Sequence, residues 1–210
     1  MKVTLKEKAY AELKALILGN ELEPGDYLTE RMLEERLSMS RTPIRSALER
    51  LESEGLVRYT PNKGLFVADF SIQRAVDFYD IRVALESHIV RKLSARAWQE
   101  DELAWFRDNL AMQKTYADQN DNAGFTAADS AFHLQLAKYH DNSEIIQSME
   151  NLQDKLYRIA IRVLRKDATR IRVSYDDHVR IFACIVAGRA DEAATAMTEH
   201  LEYGKRILIH

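Results

Sequence analysis

The sequence predicts a mainly α-helical protein in two parts: a winged helix-turn-helix of three helices plus a β-hairpin over residues 1–70, then an all-α bundle over residues 71–210. Three observations carry that expectation. Apolar residues recur at helical spacing along nearly the whole chain. Strand-like alternation is confined to Leu56–Thr60 and Leu65–Ala68, on either side of a Pro61-Asn62-Lys63-Gly64 turn. Past Ser71 the periodic runs are broken by single caps, with no further strand signal.

Taken in order, Leu5, Ala9, Leu13, Leu16 and Ile17 share one face of a first helix over residues 4–19, stopped by Gly19-Asn20 and followed by a Pro24-Gly25 turn. Thr29 suits the cap of a second helix, with Glu30 in its first turn, running to about Leu37. Ser40 suits the cap of a third, which stops at Gly55; Pro43 falls in its first turn, where a missing N–H costs little. Ile44, Leu48 and Leu51 recur on its inner face. The joint between the parts is expected near Asp69-Phe70-Ser71. Six helices then follow, at about 71–97, 100–118, 122–140, 143–166, 170–187 and 190–208, with Asn142, Gly188 and Asp191 as punctuation. Ile72, Val76, Tyr79, Val83, Val90 and Leu93 mark the buried stripe of the first of these. Asp118–Gly124 is polar enough for a loop.

The 210 residues, 46% of them hydrophobic, can bury a real core. One cysteine, Cys184, excludes an internal disulfide framework, and neither a charged-then-apolar leader nor a membrane-length apolar run is present, so a cytoplasmic protein without a membrane partner is expected. The net charge of −3 argues against a nonspecific nucleic-acid coat. Residues 1–70 alone carry 11 Lys/Arg against 12 Asp/Glu, so any DNA contact there must come from the placement of individual arginines.

The third helix is the candidate reading element. Arg41 and Arg45 lie one turn apart at its start, and each can offer two parallel donors to a guanine edge. Ser40 and Thr42, with the free N–H groups of the helix start, suit phosphate. Arg31 at the start of the second helix lies near the backbone, and Lys63-Gly64 at the hairpin tip can reach the flanking groove or phosphate. The bland alternative is a set of ordinary solvated charges.

These residues carry a resemblance. The run Leu28-Thr29-Glu30-Arg31, then Leu37-Ser38-Met39-Ser40-Arg41-Thr42-Pro43-Ile44-Arg45, then Glu54-Gly55-Leu56-Val57 and Gly64-Leu65-Phe66-Val67, resembles the N-terminal domain of the GntR family of bacterial transcription regulators. The resemblance covers about residues 5–70. It implies that Arg31, Arg41 and Arg45 contact operator DNA, with Ser40 and Thr42 beside them and Gly64 at the wing tip. It also implies a homodimer on double-stranded operator DNA with two-fold, pseudo-palindromic symmetry.

The second informative pattern is a histidine constellation. Asp129 and His133 stand four apart on one helix; His178 lies with Ile181, Phe182 and Ile185, and His200 with Met197 and Leu201, so all four face inward. A single inward histidine is usually a satisfied core residue. Three of them with an aspartate are costly to leave uncompensated, and a divalent ion would satisfy all four. Three imidazoles and a carboxylate suit a transition metal, zinc first, with nickel, manganese, cobalt or iron also fitting, over magnesium or calcium.

Asp129…Phe132-His133, Asp141-Asn142, His178 and Ala187-Gly188…Asp191…Ala194…Met197…His200-Leu201 resemble the FCD domain of the FadR subfamily. That implies a bundle of six or seven helices, with Asp129, His133, His178 and His200 as metal ligands and a small carboxylate effector bound beside the metal. Arg82 and Glu86, one turn apart beside the buried stripe, are candidate effector-binding residues or a plain helix pair. Arg158 and Arg162 are weaker candidates of the same kind. His88, His140 and His210 show no partners, and Trp98 and Trp105 suit packing or a dimer face.

A ligand-responsive DNA-binding regulator follows, not an enzyme, and by resemblance a repressor released by an organic or sugar acid. Two alternatives stand beside it. A metalloenzyme fused to a DNA-binding head needs a base near an open metal position, and no His-Glu-x-x-His pattern occurs. A purely structural metal predicts lost stability on chelation without any metabolite effect on DNA binding.

Overall fold

The computed structural model describes residues 4–19, 21–68 and 72–209. The expected stop at Asn20, the joint at Asp69–Ser71 and His210 lie outside these residues. The chain divides into two compact units, Met1–Ser71 and Ile72–His210.

In the first unit, α1 (Leu5–Leu18) opens on a capping box in which Thr4 Oγ accepts from the Glu7 N–H while the Glu7 carboxylate accepts from the Thr4 N–H. Its buried stripe is Ala9, Leu13 and Ile17; Leu5 is exposed. Helix α2 (Glu30–Leu37) is capped by Thr29, whose hydroxyl accepts from Met32 N–H at 3.1 Å, and α3 (Arg41–Ser53) follows after a tight turn through Ser38, at φ 53°. Ser40 is the N-cap of α3, as expected, with the extended backbone of a cap, but its hydroxyl makes no capping bond. Ile44, Ala47, Leu48 and Leu51 bury α3 against Leu13, Ile17 and Leu33, so the helix-turn-helix is held from behind while its outer face stays free.

A short strand, β1 (Tyr27–Leu28), joins the hairpin β2 (Val57–Thr60) and β3 (Gly64–Val67) in an antiparallel sheet of order β1-β3-β2. Tyr27 pairs with Phe66 and Leu28 with Leu65. No periodicity announces a two-residue strand; it exists because the β3 edge offers it partners. Gly64 sits at φ +95°, and a Cβ there would lie 2.5 Å from the Tyr27 ring, so the hairpin needs glycine on both counts.

The second unit comprises α4 (Ile72–Leu93), α5 (Glu100–Gln119), α6 (Asn122–His140), α7 (Ser143–Lys166), α8 (Arg170–Val186) and α9 (Ala190–Ile209). Helix α4 packs on α9, α9 on α8, α5 on both α6 and α8, and α6 on α4 and α7. Caps set the breaks. Asp121 accepts from the Ala123 and Gly124 N–H groups, and Asn142 from those of Glu144 and Ile145, so the expected 118–124 loop shrinks to Asn120–Asp121. Helix α4 stops at Leu93 and not near Ala97: past Ser94 the backbone bonds tighten to three-residue turns, Ala95 N–H to the Lys92 carbonyl and Arg96 N–H to that of Leu93.

Ile72 is exposed, so the stripe of α4 begins at Ala75 and runs through Phe78, Tyr79, Arg82, Glu86, Ile89, Val90 and Leu93, with two charged residues inside it. Trp98 packs edge-on against Phe106, Tyr139 and Phe182, and Trp105 against Phe106. His88 and His140, expected to lack partners, meet edge to face with ring centroids 5.2 Å apart. Among the described residues no helix is long and apolar enough to cross a membrane.

Candidate functional site

On the outer face of the helix-turn-helix, Arg31, Ser40, Arg41, Thr42, Arg45 and Lys63 are all exposed. Each arginine is paired with a glutamate of α2: Arg31 with Glu35 at 3.1 Å, Arg41 with Glu34 at 3.3 Å and Arg45 with Glu30 at 2.9 Å. The near-neutral charge of this part is therefore local neutralisation at the arginines themselves. Arg41, Thr42 and Arg45 line one surface depression with Lys6 of α1, a cation the sequence did not single out. Gly64 serves the hairpin turn against Tyr27.

In the bundle, α6, α8 and α9 bring Asp129, His133, His178 and His200 together, with one ligand atom from each lying within 4.8 Å of all the others. The three histidines are buried. His178 Nε2 lies 3.5 Å from Asp129 Oδ1 and 3.3 Å from His200 Nε2; His133 Nε2 lies 3.9 Å from Asp129 Oδ1.

The opposite ring nitrogens are all held. Glu86 Oε2 meets His133 Nδ1 at 2.5 Å while Glu86 Oε1 accepts from Arg82 Nε at 2.6 Å. Burial pushes the Glu86 carboxyl up, but Arg82 and His133 outweigh it and hold the pKa at about 2. An ionised Glu86 can only accept, so His133 carries a proton on Nδ1, while its Nε2 faces inward as a buried atom with no hydrogen-bond partner among the described residues. Gln113 Oε1 meets His178 Nδ1 at 2.7 Å. His200 Nδ1 lies between Asp177 Oδ2 at 3.1 Å and Arg170 Nη2 at 3.0 Å. Burial keeps both His178 and His200 well below the usual imidazole range, hence neutral and able to ligate.

These features fit a cation. Three imidazoles and a carboxylate converge on one point with His133 Nε2 left unpartnered, and a divalent ion would satisfy them together by coordination. Two small cavities adjoin the quartet and share Arg82 and Asp129; one is completed by Tyr79, Thr126, Arg170 and Ser174. Two buried guanidiniums, Arg82 and Arg170, thus border the same space. Arg158 is half-buried and Arg162 exposed on α7, and neither lines these cavities, to which α7 contributes Ala160, Val163 and Leu164 in one and Met149, Gln153 and Leu156 in the other. Glu86 orients His133 and clamps Arg82.

Residues 5–67 match the family of bacterial regulatory proteins, gntR family, and residues 77–203 match the FCD domain. This chain belongs to the GntR family. The GntR/FCD regulator is 29% identical to the Nta operon transcriptional regulator of Aminobacter aminovorans, over 85% of this chain and 82% of that protein. It is 26% identical to the HTH-type transcriptional repressor RspR of Escherichia coli K12, over 94% and 86%. The solved structure of E. coli McbR/YncC shares its fold, with a TM-score of 0.80 at 20% identity over 99% and 98% of the two chains. Its relatives and its domains are those of transcriptional regulators and not of enzymes.

The sequence of this GntR regulator located the quartet but not its orienting shell. Gln113, Asn109, Asp177 and Arg170 went unremarked. A usable signal existed for two of them: Asn109 and Gln113 fall on the same helical face as Phe106 and Ala117, where a polar residue needs a buried partner.

Proposed function

We propose that this DNA-binding GntR/FCD regulator is a repressor that acts in the cytoplasm as a homodimer on a pseudo-palindromic operator. In this reading it is released by a small organic or sugar acid bound beside a divalent transition metal, zinc first. Arg41 and Arg45 read bases, Arg31, Ser40, Thr42 and Lys63 position the backbone, and phosphate oxygens replace Glu30, Glu34 and Glu35 as partners of the arginines. Asp129, His133, His178 and His200 hold the metal, which would act as a Lewis acid toward an incoming carboxylate. Arg82 and Arg170 border the space that carboxylate would enter.

The observation that carries the sensory half is the inward convergence of the quartet with the outer nitrogen of every imidazole already held. The similarity to RspR, a transcriptional repressor, supports the sign of regulation. Allostery here is a difference in effector affinity between DNA-competent and DNA-incompetent states. Metal analysis of the purified protein, a thermal-shift screen of organic acids with and without chelator, and a gel-shift assay with any acid that stabilises it test the reading. A metal-dependent stabilising acid that lowers operator affinity is expected; a protein that takes up no metal and responds to no acid overturns it.

A further inference from the structure

Behind the quartet runs a chain of buried amides that links three helices. Asn109 Nδ2 donates to the carbonyl of Ala128 at 3.0 Å, Gln113 Nε2 donates to Asn109 Oδ1 at 2.7 Å, and Gln113 Oε1 faces His178 Nδ1 at 2.7 Å. Asn109 and Gln113 are buried, Gln113 completely. A backbone carbonyl can only accept, so it fixes which end of Asn109 is the amide nitrogen. Asn109 in turn fixes Gln113, and Gln113 is left with only an acceptor to present. The Nδ1 of His178 must then carry the proton, and its Nε2 must carry a lone pair toward Asp129 and His200.

We infer that Gln113, held by Asn109, is a positioning residue that locks His178 in the Nδ1–H form as the preset ligand of the quartet. The inference rests on the metal reading proposed above and adds the group that makes one ligand ready before the ion arrives. The three orienters differ in kind. His133 is held by a carboxylate clamped by Arg82. His200 Nδ1 lies between an acceptor, Asp177, and a donor, Arg170, so either tautomer finds a partner. Only His178 answers to a neutral amide, and that amide is tied to the backbone one residue before Asp129. The ladder therefore joins two of the four ligands, and it decides the direction of the His178–His200 contact: His178 Nε2 accepts there until a metal replaces the His200 proton.

The test uses the full chain and zinc as the probe. Gln113→Leu removes the acceptor at similar volume and is expected to weaken zinc binding about 10–100-fold in chelator competition. Nitrogen-15 spectra of histidine-labelled wild-type protein without metal should show His178 protonated on Nδ1, a readout that requires neither metal nor a folded variant. Folded Gln113→Leu with unchanged zinc affinity, or His178 protonated on Nε2 in wild type, overturns the inference alone. Wild-type protein that binds no zinc or other divalent transition metal overturns the metal reading with it, while a bare loss of thermal stability in Gln113→Leu at unaltered zinc affinity assigns the ladder to folding.

Discussion

Arg31–Glu35 in the DNA-reading unit and Arg82–Glu86 in the bundle are the same pair on paper, an arginine four residues ahead of a glutamate on one helix. The first has side chains 84% and 70% exposed, the second 8% and 2%. Water makes the first pair weak and exchangeable, so the guanidinium is available to a phosphate. Burial makes the second hard to dissociate, since parting its members leaves a desolvated charge behind. One unit keeps its arginines ready to change partners; the other uses them to hold histidine-orienting carboxylates still. Identical spacing therefore gives an exchangeable pair in one place and a fixed pair in the other, and exposure is what separates them.

That contrast breaks most directly by removing the arginines. Arg82→Met is expected to destabilise the bundle by about 3–5 kcal/mol and Arg31→Met by less than about 1 kcal/mol. Urea unfolding measures this, followed by tryptophan fluorescence for the bundle, which holds both Trp98 and Trp105, and by far-UV circular dichroism for the winged-helix unit, which holds no tryptophan. Comparable losses for the two would end the comparison.

Metal removal comes next. Chelation should lower bundle stability by about 3–4 kcal/mol if free metal stands at roughly 100–1,000 times Kd, while leaving the winged-helix unit unaffected. The metal-free protein should also weaken as the pH falls below 6.5, since the unfolded chain protonates its histidines there before the buried His178 and His200, whose pKa values burial depresses, can follow. Thermal melts across pH 5–8, with and without metal, read both effects; a melting temperature indifferent to chelator counts against the quartet as a metal centre.

Arg45→Ala should cost about 1–3 kcal/mol of operator affinity in a gel-shift assay with no change in the bundle's melting, and undiminished binding would remove Arg45 from the reading face. The smallest effect is the most diagnostic of exchange. Glu34→Gln frees Arg41 from its surface partner and should tighten DNA binding by less than about 1 kcal/mol, with the gain shrinking as salt rises.

Local periodicity and capping chemistry lie within a few residues of one another in the chain, so the sequence carried them: the helix order, the Thr29 and Asn142 caps, the hairpin about Asn62-Lys63, and the inward set of Asp129, His133, His178 and His200. The last of these follows from which side of a helix each residue occupies, the others from turn and cap residues beside the elements they bound. What the sequence could not carry depends on pairs far apart in the chain. Strand β1 exists because Tyr27 meets Phe66, the pairing of Arg45 with Glu30 depends on how α3 crosses α2, and Glu86, which the chain offers as an effector contact or a plain pair with Arg82, also meets His133 because α4 packs against α6. Gln113 reads only as a polar residue on the inner face of α5, with no named partner, until α8 delivers His178 to it. A helix pattern specifies a face but not its neighbour, and a buried polar group takes its meaning from the neighbour.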